Sequence, residues 1–363
     1  MKGHFFVPLL LVGLLQNVGP LAGQVRTATA APPAKKAPAK RIVRRSAPPV
    51  DPTLGDNVDG EDLTIRRAAV AALGTMNGSV VVVDPSNGRI LTMVNQKLGF
   101  KSGFIPCSTI KLVTSLAALS EHVVSPETVI HTTRYTSFNL TTAIAHSDNQ
   151  YFTILGNRLG FERVVHYAQM LGLGEKAGLD IPDEQPGVVP DGPPKAGGMG
   201  LQTAYGEGFL VTPLELSALL SAIANGGTLY SLQYPRTQSE IDDFVPKVKR
   251  ALDELAPDAI SDLKVGMRGA VDYGTGKRAN YDPNEPVLGK TGTCLLQRCR
   301  LPSARGGGDA DRHALGQRSD GGRGGRSHIP QSFGAALFHG RSGEEGFARN
   351  HHHLSLLPAV NGY

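Results

Sequence analysis

Gly78-Ser79-Val80-Val81-Val82-Val83-Asp84-Pro85-Ser86-Asn87-Gly88-Arg89-Ile90-Leu91-Thr92-Met93-Val94 holds two β-rich runs around a cluster of turn formers. Turn formers between β-branched runs predict a hairpin. The first run is continuously apolar, so its strand is expected to be covered on both faces. Ahead of it, Thr64 to Leu73 has helix-forming composition. Behind it, Leu112, Val113, Leu116 and Leu119 fall at helical spacing over 110–119, with Pro106 at the start. Further helices are predicted at about 139–159, 161–172, 211–226 and 257–271, then a short strand over 287–292. Strands and helices without regular βαβ alternation point to an α+β fold, an antiparallel sheet flanked by helices.

The charge is unevenly placed. The 363 residues carry a formal charge of +5, yet residues 51–293 hold 27 acidic against 20 basic side chains. The basic character belongs to the ends: residues 25–50 carry seven basic side chains and no acid, and residues 294–363 carry nine Arg against five acids. An acidic body argues against a nucleic-acid-binding domain. The apolar run from Phe5 to Leu15, behind Lys2, is short for a membrane span and suits the core of a secretory signal over 1–23, cleaved or kept as an anchor. The Pro/Ala/Lys tract that follows cannot bury a core, and residues 24–61 read as a basic linker. Its charge suits contact with a membrane surface or an anionic wall polymer, or simply solubility. The three cysteines, Cys107, Cys294 and Cys299, form no CxxC pair and no zinc spacing; secretion permits a disulfide without demanding one. No metal and no cofactor is expected.

Three short elements carry the chemistry. In Ser108-Thr109-Ile110-Lys111 the spacing at a helix start lets the serine and lysine side chains meet. A serine hydroxyl is a poor nucleophile until a base takes its proton, and a lysine held neutral can be that base. Ser147-Asp148-Asn149 lies between helical stretches, where Ser147 could relay a proton and Asn149 could bind an amide; alone, it would read as a helix cap or Asx turn. Lys290-Thr291-Gly292-Thr293 lies on the predicted strand. There a lysine and hydroxyls suit a carboxylate, and Gly292 admits close approach of a substrate backbone. Each element alone is commonplace.

In the order SxxK, SDN, KTG they match the signature of the penicillin-recognising serine acyltransferases, and residues 62–293 resemble the transpeptidase domain of penicillin-binding proteins. The hairpin over Gly78 to Val94 and the segment Gly206-Glu207-Gly208-Phe209-Leu210-Val211-Thr212-Pro213-Leu214-Glu215-Leu216 extend the resemblance. It implies that Ser108 attacks the carbonyl of a D-Ala-D-Ala stem peptide of peptidoglycan, or of a β-lactam antibiotic, with Lys111 as the base. It implies that Ser147 and Lys290 deliver a proton to the leaving amine, and that the backbone N–H groups of Ser108 and Thr293 hold the oxyanion. Thr291 and Thr293 would bind the terminal carboxylate, Gly292 would clear space, and Asn149 would fix the peptide. The implied activity is a D,D-transpeptidase at the extracytoplasmic face of the bacterial inner membrane, exported to the periplasm.

Other activities share the motifs. A D,D-carboxypeptidase passes the acyl group to water. A class A β-lactamase adds a deacylating Glu in an ExxLN-like loop, and no such element lies between Asn149 and Lys290. A non-catalytic penicillin-binding sensor or scaffold would be acylated without turnover.

After Thr293 the composition changes abruptly. Residues 294–363 hold thirteen Gly and nine Arg, no Lys and no Thr, and only Ile329 and Val360 as β-branched residues. The family's domains continue there with further strands, which are hard to build from such residues. The sheet is therefore expected to be incomplete after the KTG strand. The tail reads either as a stretch translated out of frame or as a disordered basic extension.

Overall fold

The computed structural model describes residues 51–74, 76, 78–101, 103–179, 181–279, 287–294 and 331–339. The signal segment and most of the basic linker lie outside these residues, as does the tail apart from Cys294 and residues 331–339. Among the described residues no helix is long and apolar enough to cross a membrane.

Helix α1 (Leu63–Leu73) is started by Asp62, whose carboxylate accepts from the Thr64 and Ile65 amides at 2.8 and 2.9 Å. The hairpin follows as β1 (Val80–Val83) and β2 (Ile90–Val94), antiparallel from Val80↔Val94 to Val83↔Ile90 with an irregularity at Val82/Val83. As expected, β1 is buried on both faces. Val80 and Val82 pack with Ala69, Leu73 and Val94 under α1, and Val81 and Val83 enter the main core. Each buried valine contributes about 1.5–3 kcal/mol of apolar transfer, so a two-sided strand anchors two cores at once.

The chain continues through α2 (Gln96–Gly99) and a 3₁₀ turn over Cys107–Ile110 into α3 (Lys111–Ser120). Nine of the ten α3 residues are buried, because the helix runs through the middle of the domain and packs on later helices. A small ladder, β3 (Ile130–His131) with β4 (Ser137–Phe138), precedes α4 (Leu140–His146), α5 (Asn149–Leu159) and α6 (Phe161–Met170). The helix expected over 139–159 is thus split. Ser147 ends α4 in the left-handed conformation (φ 54°) and Asp148 caps α5, accepting from the Tyr151 amide at 2.7 Å.

Next come α7 (Gly200–Thr203) and the long buried α8 (Pro213–Asn225). Thr212 and Glu215 form a capping box at the start of α8. The Glu215 carboxylate also accepts from the Gly174 and Gly187 amides at 2.7 and 3.0 Å, so one buried acid ties two loops to one helix end. The antiparallel ladder β5 (Thr228–Ser231) and β6 (Lys247–Ala251), with α9 (Gln238–Asp242) between its strands, leads to α10 (Ala259–Asp272). Helix α10 lies close on α4, where a Cβ at Gly266 would sit 2.8 Å from the Ile144 Cβ; it also supports β7 (Val287–Cys294).

Two expectations are revised. Strand β7 has a neighbour, β8 (Gln331–His339), paired antiparallel from Val287↔His339 to Cys294↔Gln331. Ser332-Phe333-Gly334-Ala335-Ala336-Leu337-Phe338 is an uncharged run long enough for a strand, though it lacks the β-branched residues that usually mark one. Residues 51–61, read as linker, are packed against the domain. Asp56 and Glu61 bind Arg66 at 2.7 and 2.8 Å, and Glu61 also accepts from Thr92 Oγ1 at 2.7 Å and from the Tyr234 hydroxyl. These carboxylates tolerate burial because the guanidinium and several donors answer them.

Candidate active site

The 3₁₀ turn, the break between α4 and α5, and strand β7 bring five of the expected residues together. Ser108 lies in the turn and Lys111 opens α3, so the local winding sets the Lys111 Nζ 3.1 Å from Ser108 Oγ. The left-handed cap at Ser147 turns the chain so that its carbonyl oxygen and hydroxyl lie 2.6 and 3.1 Å from the same Nζ, with Asn149 Oδ1 at 2.7 Å. A non-glycine residue in that region is strained, and such strain is held only where neighbours over-determine it. From β7, Lys290 Nζ donates to Ser147 Oγ at 2.7 Å and to the Thr291 carbonyl at 2.9 Å.

These contacts decide what Lys111 can do. Four oxygens surround its nitrogen, and two of them, the Ser147 carbonyl and the Asn149 amide oxygen, can only accept. A neutral amine has two N–H bonds for those two acceptors. Its single lone pair can then accept from one of the two nearby hydroxyls, Ser108 or Ser147, either of which can donate. Burial pushes the Lys111 ammonium down to about 7, against a smaller upward pull from Asp148. The side chain is fully shielded from solvent, and the Phe152 ring centroid lies 5.4 Å from Nζ, close enough to help exclude water. Burial, and secondarily the charge of Lys111, hold Lys290 well below the ordinary lysine value. Ser147 Oγ therefore bridges two buried amines, both inclined to be neutral, and can pass a proton in either direction.

The rest of the KTG strand lines the edge of this cluster. Gly292 is buried, while Thr293 is exposed. Thr291 Oγ1 shares a hydrogen bond of 2.7 Å with Thr275 Oγ1, and the Thr275 amide donates to the Ala145 carbonyl at 3.1 Å. Thr275 was missed from sequence. It stands in the turn after α10, at no fixed spacing from the KTG strand, and only the packing of α10 against β7 joins the two. The Asn149 side-chain oxygen accepts from Lys111, and its amide NH2 has no hydrogen-bond partner among the described residues. Strand β7 also packs against the turn that carries Ser108. Behind that turn, Gly206 (φ +72°) leaves no room for a side chain, since a Cβ would fall 2.6 Å from Pro106 Cγ and 3.1 Å from the Cys107 amide nitrogen.

Comparison with known proteins shows the family of the chain. The model of the penicillin binding protein transpeptidase domain matches residues 78–295, more than half of the chain. Stage V sporulation protein D of Bacillus subtilis is 28% identical over 258 residues, covering 59% of this chain and 39% of that protein. The peptidoglycan D,D-transpeptidase MrdA of Haemophilus influenzae is 24% identical over 299 residues, covering 65% and 46%. The chain thus spans less than half the length of these curated relatives. Among solved structures, the transpeptidase domain of Burkholderia pseudomallei penicillin-binding protein 3 superposes with a TM-score of 0.55 at 22% identity, over 68% of this chain and 79% of that one.

Proposed function

The chain belongs to the penicillin-binding protein transpeptidase family, and within it we propose that the protein is a serine D,D-transpeptidase that cross-links D-Ala-D-Ala stem peptides of peptidoglycan through an acyl-enzyme on Ser108. The observation that carries this reading is the placement of Lys111 Nζ, with two obligate acceptors on its N–H side and the Ser108 hydroxyl 3.1 Å away.

In this reaction Lys111 takes the Ser108 proton as Oγ attacks the carbonyl carbon of the penultimate D-Ala. The N–H groups of Ser108 and Thr293 stabilise the oxyanion that forms. Collapse of the tetrahedral intermediate breaks the amide bond. The departing amine of the terminal D-Ala receives its proton through Ser147, which hydrogen-bonds both Lys111 and Lys290. Thr291, with Thr275 behind it, and Thr293 bind the terminal carboxylate, and buried Gly292 lets the substrate backbone approach. An amine of a second stem peptide then attacks the ester, the proton path runs in reverse, and Ser108 is regenerated. A substrate of this kind lies outside the cytoplasm, where a secretory signal over residues 1–23, as read from the sequence, would deliver the protein.

The test uses the purified full chain with a D-Ala-D-Ala stem peptide, a free-amine acceptor and, separately, a fluorescent penicillin. The expected result is release of D-Ala with formation of the amine adduct, and a penicillin label that persists for hours. D-Ala release without adduct would make the protein a carboxypeptidase. Label lost within minutes would make it a β-lactamase, and persistent label with no action on peptides would make it a sensor or scaffold.

A further inference from the structure

The residue before Ser108 is unusual in two respects. Cys107 adopts the left-handed conformation, φ 52°, which is costly for a side chain of this kind. Its sulfur is also engaged in a disulfide. The chain holds only two other cysteines, Cys294 and Cys299. Cys294 is the last residue of β7, directly after Thr293, and β7 is the strand packed against the Cys107–Ile110 turn. Cys299 lies five positions further on in the sequence, outside the described residues.

We propose that Cys107 and Cys294 are joined as a disulfide that clamps the Ser108 turn to the Lys290–Thr293 strand, making both cysteines positioning residues for the acyl-transfer site. Each cysteine directly adjoins one of the two residues, Ser108 and Thr293, whose backbone N–H groups would hold the oxyanion. A covalent link at this point sets the distance between those donors, which come from elements 185 positions apart in sequence. Oxyanion stabilisation depends steeply on that distance. On the other side of the turn Gly206 packs close, and a Cβ there would fall 2.6 Å from Pro106 Cγ and 3.1 Å from the Cys107 amide nitrogen.

The bond forms by thiol–disulfide exchange with an oxidised dithiol protein or small-molecule disulfide. One cysteine thiolate attacks the oxidant's disulfide to give a mixed disulfide. The second cysteine thiolate then displaces the oxidant's remaining sulfur. The two cysteines lose two protons and two electrons, and the oxidant leaves as a protein dithiol or as two small-molecule thiols. An extracytoplasmic setting supplies such oxidants. The link makes acylation dependent on redox state.

The pairing is tested without reference to activity, whereas the positioning role rests on the transpeptidase reading above. Trypsin cuts after Lys101, Lys111, Lys290 and Arg298, so Cys107, Cys294 and Cys299 fall in three separate peptides. A non-reducing peptide map of the full chain is expected to show 102–111 joined to 291–298, with Cys299 open to alkylation. A link from Cys107 to Cys299, or no link at all, would overturn the proposal. The rate constant for acylation by a fluorescent penicillin is expected to fall about tenfold on reduction with dithiothreitol and to return on reoxidation with oxidised glutathione, because oxyanion donors act in the transition state. The penicillin concentration for half-saturation should change little. Cys294→Ser should match the reduced protein and ignore reductant, while Cys299→Ser should behave as wild type. An acylation rate indifferent to reduction would overturn the positioning role. Absence of label in every redox state would instead refute the acyl-transfer reading, with the peptide map still deciding the pairing.

Discussion

Ser108→Ala is expected to reduce covalent labelling by a fluorescent penicillin to background while leaving the melting temperature close to wild type. The side chain is small, half-buried and at the start of a helix, so its loss removes one hydrogen-bond partner of the Lys111 amine and little packing. The experiment discriminates because the site holds a rival. Ser147 Oγ is also 3.1 Å from Lys111, and it is bonded to Lys290 as well. Ser108, however, adjoins β7 at the turn where backbone N–H groups from two elements can converge, whereas Ser147 sits between the two amines as a bridge. Ser147→Ala should therefore still label, more slowly by roughly 10²–10⁴-fold, the range for losing a positioned proton carrier. Label that survives in Ser108→Ala and vanishes in Ser147→Ala would exchange the two roles.

Lys111→Met should lower the acylation rate by about 10²–10⁴-fold, the range for a general base, and should also remove a pH dependence. In the wild type the active form of Lys111 is the neutral amine. Burial holds its pKa near 7, from an ordinary value of 10.5, so the neutral form accumulates as pH rises through 7. The acylation rate is expected to climb between roughly pH 6 and 8 and then level off, and the methionine variant should show no step there. Lys111→Arg keeps a charge that cannot be shed at these pH values and should be as slow as the methionine variant. A rate that is flat from pH 5.5 to 8.5 in the wild type would refute the neutral-lysine mechanism. Melting curves for both variants separate lost chemistry from lost fold, which matters because the Lys111 side chain is wholly enclosed.

The three motifs were legible because their chemistry is local. Ser108 and Lys111 meet through three residues of helix-like winding, and a run of four β-branched valines ending in turn formers favours a strand with both faces covered. What escaped depends on tertiary partners. Asp56 and Glu61 look like the end of a solvated linker until Arg66 answers them. Lys247 to Ala251 is too charged to suggest a strand, yet it pairs with Thr228 to Ser231 at a largely exposed edge where packing asks little of its side chains. Residues 331–339 lack β-branching and still extend along β7. Thr275 reaches Thr291 only because the end of α10 is pinned to Ala145. The break at Ser147 hides inside a stretch of good helix composition, since a left-handed serine cap has no compositional mark.

The enclosure of Lys111 and Lys290 also bears on folding thermodynamics. In the unfolded chain both amines titrate near 10.5; in the folded protein both titrate lower, Lys111 at about 7. Between those values the unfolded state binds more protons, so the free energy of unfolding rises with pH from about 7 towards 10 on account of these two groups. Below pH 7 Lys111 must be charged in either state, and the native protein bears the full desolvation cost of that charge. Acidification therefore weakens the fold and silences the base through the same protonation. A domain with methionine at both positions would be the more robust molecule near neutrality, as calorimetry across this pH range would reveal, and it would have no base with which to act.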